Sequence, residues 1–335
     1  MKEMVKQAKK CEKAGFDSVW ISDHILAPPP DRSFLPDAYM TLAVIARNTS
    51  QVMLGTVVTC VHRRSYAVLA HLITTLDHFS DGRAILGVGS GESMNLDPFG
   101  IEWSKPISRT VEALDLIKRL WKEDAPFIVE GEYYSLDNGF LQLAPVQTPH
   151  PPIYFAANGP YSMTLTGRYY DGWLPFIETP GLYGKHVKIV EEGAKEVGRS
   201  IEDVECALAL ASAVCEDSDE AYQTAAPFRQ FMIHLPKKLA EAGYDIPSEY
   251  SDNYYLENLM VTPESQKKYE EAREFISEEM VRDFSVLGTA DECIAQIEKY
   301  RQAGLDHLLV FSTDTDVDRT IGFYENEIIP YFKEE

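Results

Sequence analysis

Leu76-Asp-His-Phe-Ser-Asp-Gly-Arg-Ala-Ile-Leu-Gly-Val-Gly-Ser-Gly-Glu-Ser-Met-Asn95 runs out of a helical pattern, into a short apolar strand, and on into a polar, glycine-rich loop. The helix reads through residues 69–79 and the strand is Ala84-Ile-Leu-Gly-Val-Gly89. Strand, loop and helix in this order are the unit of a parallel sheet, whose neighbouring strands need a helical crossover. Upstream, residues 2–14 form a Lys/Glu/Ala helix stopped by Gly15, and Asp17-Ser-Val-Trp-Ile-Ser22 is a strand with Asp23 and His24 just beyond it. A Pro-rich loop over 27–36 leads to a helix over 38–47 and a strand, Val52-Met-Leu-Gly-Thr-Val-Val58.

Downstream, a helix over about 109–121 is followed by a break in the alternation. Phe127-Ile-Val-Glu-Gly-Glu-Tyr-Tyr134 and Phe140-Leu-Gln-Leu143 flank Asp137-Asn-Gly139, which predicts a hairpin inserted at about 125–146. The alternation resumes with Ile153-Tyr-Phe-Ala-Ala157 and a helix entered at Pro160, then Gly172-Trp-Leu-Pro-Phe176, a helix over 183–197, and a strand over 204–214. Residues 235–285 are polar and irregular, with tyrosines at Tyr250, Tyr254 and Tyr255 and a helix near 263–276. Thr289 caps a helix over 290–303, and His307-Leu-Leu-Val-Phe311 is the last strand.

Strands coupled to helices in this way predict an α/β fold, a (β/α)8 TIM barrel with insertions, spanning 1–335 as one domain. A doubly wound open sheet is the other arrangement the pattern allows. The chain starts inside a helix, so a closed barrel of eight calls for a further strand upstream of Met1.

The formal net charge of -22 argues against nucleic acid and anionic membrane as partners. The five cysteines show neither zinc-knuckle nor CxxC spacing, which fits buried thiols in a reducing, cytoplasmic setting. No apolar run is long enough to span a membrane, and no histidine pattern of the HExxH kind points to a metal. A GxSxG elbow is absent, which leaves hydrolysis without support.

In a parallel barrel the loops after the strands share one face, and chemistry collects there. That face would carry Asp23 and His24; Val57, Val58, Thr59 and Cys60; Ser90 to Asn95; Ala157, Asn158 and Gly159; Phe176 and Glu178; and Ser312. His24 beside a carboxylate suits a base near neutral pH, although a His here serves equally as a hydrogen-bond partner of a nearby loop. Glu92 sits among glycines that let backbone approach a ligand, or that simply make a tight turn. Ala-Ala-Asn-Gly-Pro160 ends a strand and opens a helix, an anion site by its free amides or an ordinary cap.

Taken together, Ala14-Gly-Phe-Asp-Ser-Val-Trp-Ile-Ser-Asp-His24, Leu54-Gly-Thr-Val-Val58, the 76–92 stretch, His150-Pro-Pro-Ile-Tyr-Phe-Ala-Ala-Asn-Gly-Pro160, Asp171-Gly-Trp173 and Leu287-Gly-Thr-Ala-Asp-Glu292 resemble the bacterial-luciferase-like superfamily. The Gly-Ser-Gly-Glu-Ser-Met-Asn95 segment is most similar to its branch using coenzyme F420, a deazaflavin. That resemblance implies a homodimer acting on a small-molecule substrate, with FMN as the alternative cofactor. It implies that Asp23, Val57 and Val58 border the deazaflavin head, with a non-prolyl cis peptide at Val57-Val58. Asn95 would help position the head, and Ala157, Asn158 and Gly159 would take the phosphate.

In the alcohol-oxidising members of that branch, a His in the place of His24 removes the hydroxyl proton, and a Glu in the place of Glu92 exchanges a proton with the ring. Their tryptophan four residues after the His is Pro28 here. The methylenetetrahydromethanopterin reductases, which share the first helix and Asp-His context, are the leading match, although their loop reads Gly-Pro-Gly-Asp. Alcohol or sugar-phosphate dehydrogenases, FMN-dependent monooxygenases and a non-catalytic cofactor-binding barrel are the alternatives.

Overall fold

The computed structural model describes residues 2–27, 35–232, 235–248 and 262–333. Pro28, most of the Pro-rich loop, and Tyr250, Tyr254 and Tyr255 therefore lie outside the described residues. The chain divides into two compact units, one of residues 2–12, 16–27 and 35–156, the other of residues 13–15 and 157–333.

In the first unit, helix α1 (Lys2–Ala14) precedes strand β1 (Ser18–Ile21). Then come α2 (Ala38–Ala46), β2 (Met53–Thr56), β3 (Thr59–Cys60), α3 (Tyr66–Ser80), β4 (Ala84–Gly89), α4 (Pro106–Lys122), β5 (Phe127–Glu130), β6 (Ser135–Gly139) and β7 (Ile153–Phe155). β1 pairs with β2, β2 and β3 with β4, and β4 with β7, all parallel. The strand expected over 52–58 is interrupted where the Val57-Val58 peptide bond is cis, and pairing resumes at Thr59. β4 is buried along its whole length, as expected of a strand covered on both faces.

Close packing explains one glycine of β4. A Cβ on Gly87 would lie 1.8 Å from the Thr56 carbonyl oxygen and 3.2 Å from the Trp20 ring. Only a residue without a side chain lets β2, β4 and Trp20 come this close.

The inserted hairpin is present, but its turn is elsewhere. β5 and β6 pair antiparallel, with Phe127 opposite Gly139 and Glu130 opposite Ser135. The chain thus reverses over Gly131 to Tyr134, and Asp137-Asn-Gly139 lies in the second strand. The reason is tertiary. The Glu112 carboxylate of α4 accepts the backbone N–H groups of Glu132, Tyr133 and Tyr134, which fixes the turn there. These charge-assisted bonds outweigh a local Asn-Gly preference.

In the second unit, α5 (Pro160–Tyr169), β8 (Gly172–Trp173), α6 (Pro180–Glu196), β9 (Glu205–Val214) and α7 (Ser218–Ala225) follow one another. After the helices Pro236–Glu241, Pro263–Phe275 and Glu278–Asp283 come β10 (Ser285–Gly288), the helix Ala290–Gln302 and β11 (His307–Ser312). β8, β10 and β11 all pair parallel with β9. β10 was not expected: a four-residue strand at the end of a polar stretch shows no period of its own. Thr289 caps the helix Ala290–Gln302 as expected, and Glu292 closes a capping box with it. Trp173 is fully buried, stacked on Tyr183 at 5.0 Å between centroids, and donates its ring N–H to the Ala157 carbonyl at 2.9 Å.

Candidate active site

Just past the end of β1, Asp23 is buried and heavily engaged. Its Oδ2 accepts the Thr59 hydroxyl at 2.7 Å and lies 2.6 Å from Arg63. Arg64 spans both carboxylate oxygens, at 3.0 and 3.2 Å, and reaches on to Asp37 at 2.5 Å. Burial works against the Arg64 charge, but Asp23 and Asp37 more than offset it and hold its pKa above the ordinary guanidinium value. An aspartate held by two guanidinium groups and a hydroxyl is a structural anchor. It ties the end of β1 to β3, directly across the cis Val57-Val58 segment.

His24 follows on the same loop, half-buried, and its Nε2 lies 3.0 Å from Glu92 Oε1. Their side chains are 32% and 15% exposed. Glu92 stands where β4 opens into the loop, after Gly91, whose φ of +84 belongs to the left-handed region that favours glycine. Asn95 completes the group. It donates its Nδ2 to Glu92 Oε1 at 2.7 Å and to the Leu26 carbonyl at 3.1 Å. Its Oδ1 accepts the backbone N–H groups of Ile25 and Leu26 at 2.7 and 2.9 Å. The structure thus brings Glu92 and Asn95 to His24 and the two residues after it, across a separation of up to 70 positions. Val57 and Val58 lie immediately before Thr59.

In the second unit, Ala157 and Asn158 follow β7, and Gly159 is the N-cap residue of α5. Gly159 brings no side-chain cap, and the Asn158 side chain turns elsewhere: its Oδ1 accepts Lys238 Nζ at 2.8 Å. The start of α5 thus has no side-chain cap, and first-turn amides at a helix start are suited to a phosphate. Lys238 also donates to the Phe176 carbonyl at 2.7 Å and lies 2.9 Å from Glu178 Oε1. His186 Nδ1 meets Glu178 Oε2 at 2.9 Å, and the Tyr300 hydroxyl donates to the Glu178 carbonyl. Burial pushes the fully buried Glu178 carboxyl up, but Lys238 and His186 prevail and its pKa stands below the usual carboxylate value.

Arg63, Arg64, Lys238 and His186 had no sequence signal as site residues. Two adjacent arginines past a strand are common on surfaces, and Lys238 stands in the least patterned part of the chain. Cys60, Cys206, Cys215 and Cys293 are buried free thiols, and burial pushes Cys206 and Cys293 up to about 12. Among the described residues no group of His, Cys, Asp and Glu is arranged to hold a metal ion, and no helix is long and apolar enough to cross a membrane.

Residues 1–307 match the luciferase-like monooxygenase family. The chain is 31% identical to an F420-dependent glucose-6-phosphate dehydrogenase of Amycolatopsis mediterranei, over 98% of this chain and 94% of that protein. It is 30% identical to the 5,10-methylenetetrahydromethanopterin reductase of Methanolobus tindarius, over 91% of this chain and 88% of that one. Its structure is similar to that of an F420-dependent secondary alcohol dehydrogenase in complex with an F420-acetone adduct, with a TM-score of 0.84, 27% identity, and coverage of 98% of this chain and 94% of that one. The chain belongs to the luciferase-like monooxygenase family, and its fold is the α/β TIM barrel of that family's F420-dependent members.

Proposed function

From this family membership and the imidazole–carboxylate pair beyond β1 and β4, we infer that the chain is a coenzyme F420-dependent oxidoreductase. It transfers a hydride between the deazaflavin and a hydroxyl- or carbonyl-bearing carbon of a small organic substrate. The observation that carries this reading is the 3.0 Å approach of His24 Nε2 to Glu92 Oε1. A bound deazaflavin supplies a two-electron hydride carrier. His24, partly exposed and backed by a carboxylate, takes the hydroxyl proton as the substrate is oxidised, or returns it when a carbonyl is reduced. Glu92 stabilises the positive charge His24 acquires and exchanges a proton with the cofactor ring.

The residues present fit such a cofactor. Arg63 Nε is buried without a partner among the described residues, which leaves a donor beside Asp23 for a polar ring edge. Asp23, Val57 and Val58 would border the head, and Ala157, Asn158 and Gly159 would hold the phosphate at the start of α5. The whole chain is read as one catalytic domain, working as a homodimer in the cytoplasm.

A second reading, reduction of a methylene-pterin, is supported by the similarity to the Methanolobus tindarius reductase. Incubating the chain with oxidised coenzyme F420 and, separately, secondary alcohols, a sugar phosphate and methyltetrahydromethanopterin separates them. Reduction of the deazaflavin by an alcohol or sugar phosphate supports the first reading. Turnover with the pterin alone replaces it with the second, and absence of turnover with all of them overturns both.

A further inference from the structure

We propose that Phe176, Phe228 and Phe311 form a wall that holds hydrocarbon, and that the substrate is an uncharged alcohol or ketone carrying an apolar chain. This rests on the function proposed above and names the substrate class for it.

The alternation of side chains along β9 decides which way the rings face. Residues in register on neighbouring parallel strands share one face of the sheet. Trp173 is paired with Cys206 and stacks on Tyr183 of α6, and the Ser212 hydroxyl bonds that of Tyr324 in the last helical stretch. The even-numbered residues of β9 therefore face the helices. The odd-numbered ones, Ala207, Ala209, Ala211 and Ala213, face the inside of the sheet. Phe176 is bridged to Ala209, and Phe311 is paired with Ala211, so both stand on that inner face.

The small alanines leave room for bulk beside them. Phe228, just after α7, takes part of it, with its ring centroid 6.4 Å from that of Phe176 and 5.8 Å from that of Phe311. Phe228 is buried, but Phe176 is 37% exposed and Phe311 50%. Inner-face residues of a barrel sheet ordinarily fill one another's space. Two phenylalanines open to solvent there, one just beyond β8 and one next to the end of β11, mark an apolar ligand wall at the strand ends where barrels bind substrates. The inner face of a barrel sheet is concave, which suits a small molecule and not the flat face of another protein.

The charge beside the wall agrees. Lys238 donates to the carbonyl oxygens of Phe176 and Ile177 and to Asn158, and Glu178 Oε1 lies 2.9 Å from its nitrogen. An ammonium group has three donors, and Lys238 has none left for a substrate phosphate. A phosphate against the rings would lose its hydration uncompensated, whereas an alkyl chain would bury apolar surface.

Two readouts are taken on wild type, Phe311→Ser and, as a second variant should the first fold poorly, Phe176→Ser. One is kcat/KM with coenzyme F420 for secondary alcohols from 2-propanol to 2-octanol and for glucose 6-phosphate. The other is the Kd of the matching ketones for the cofactor-free chain, measured by saturation-transfer NMR. The proposal expects kcat/KM and ketone affinity to rise about two- to fourfold per added methylene. Each variant should weaken 2-octanone by about fivefold or more, with a loss that grows with chain length. A flat dependence on chain length, a slope unchanged in the variants, or glucose 6-phosphate turned over faster than every alcohol overturns it. Absence of turnover with all of these compounds overturns the proposed function instead, and the ketone affinities still decide whether the wall holds hydrocarbon.

Discussion

Lys238→Met removes the ammonium group 2.9 Å from Glu178 Oε1, a carboxylate with no exposed side-chain surface. The variant also strips the Asn158 side chain and the Phe176 carbonyl of their donor. Breaking a buried ion pair by deleting one partner costs about 3–5 kcal/mol, because the remaining charge is left without compensation. The unfolding entropy of a chain of 335 residues is roughly 0.7 kcal/mol per degree. The expected fall in Tm is therefore about 4–7 °C, read by differential scanning fluorimetry.

The pH dependence carries a sign. In the wild type the Glu178 pKa is depressed, so its contribution to stability is present above the unfolded carboxylate pKa and is lost as pH falls through the folded value. Without Lys238, only His186 still opposes burial, so the folded Glu178 pKa rises from its depressed value. The variant then loses less stability than the wild type as pH falls through the depressed wild-type value, and its deficit narrows, by at most about 1.4 kcal/mol per pH unit. The double variant Lys238→Met/Glu178→Leu should recover at least half of the lost stability, since both charges are gone. A single-variant loss under about 1 kcal/mol, or a double variant as unstable as the sum of its parts, would refute the reasoning.

His24→Ala should lower kcat by about 10²–10⁴-fold while the F420 affinity changes little, as loss of a general base does; steady-state kinetics with an active alcohol checks it. Asp23→Leu leaves Arg63 and Arg64 facing an apolar side chain and should cost about 3–5 kcal/mol in urea unfolding, with Arg64 still held by Asp37. Gly87→Ala sets a Cβ against the Thr56 carbonyl and should yield insoluble protein, whereas Gly100→Ala, with open space around the position, should leave the chain soluble despite its φ of +69.

Much of the framework was legible because buried parallel strands write themselves as apolar runs. Ala84–Gly89 and Glu205–Val214 are examples, and the residues just beyond such strands, Asp23, His24 and Glu92, could be named from position alone. What escaped the sequence was set by contacts far along the chain. The hairpin turn moved because Glu112 collects the amides of residues 132–134. Lys238 reached Asn158 across eighty positions of sequence, a distance no local pattern encodes. Asp23 was legible as a strand-end carboxylate, but its two guanidinium partners were not. Asn95 was legible as a loop residue beyond β4, but the fourfold use of its amide emerges only when residues 25 and 26 are brought beside it.

The cofactor is the central claim, and equilibrium binding of the purified chain to coenzyme F420 and to FMN, side by side, tests it most directly. The expected result is micromolar or tighter binding of F420, weak binding of FMN, and no oxygen consumption when the reduced cofactor is supplied. Tight FMN binding with oxygen uptake, and F420 binding no better than background, would contradict it.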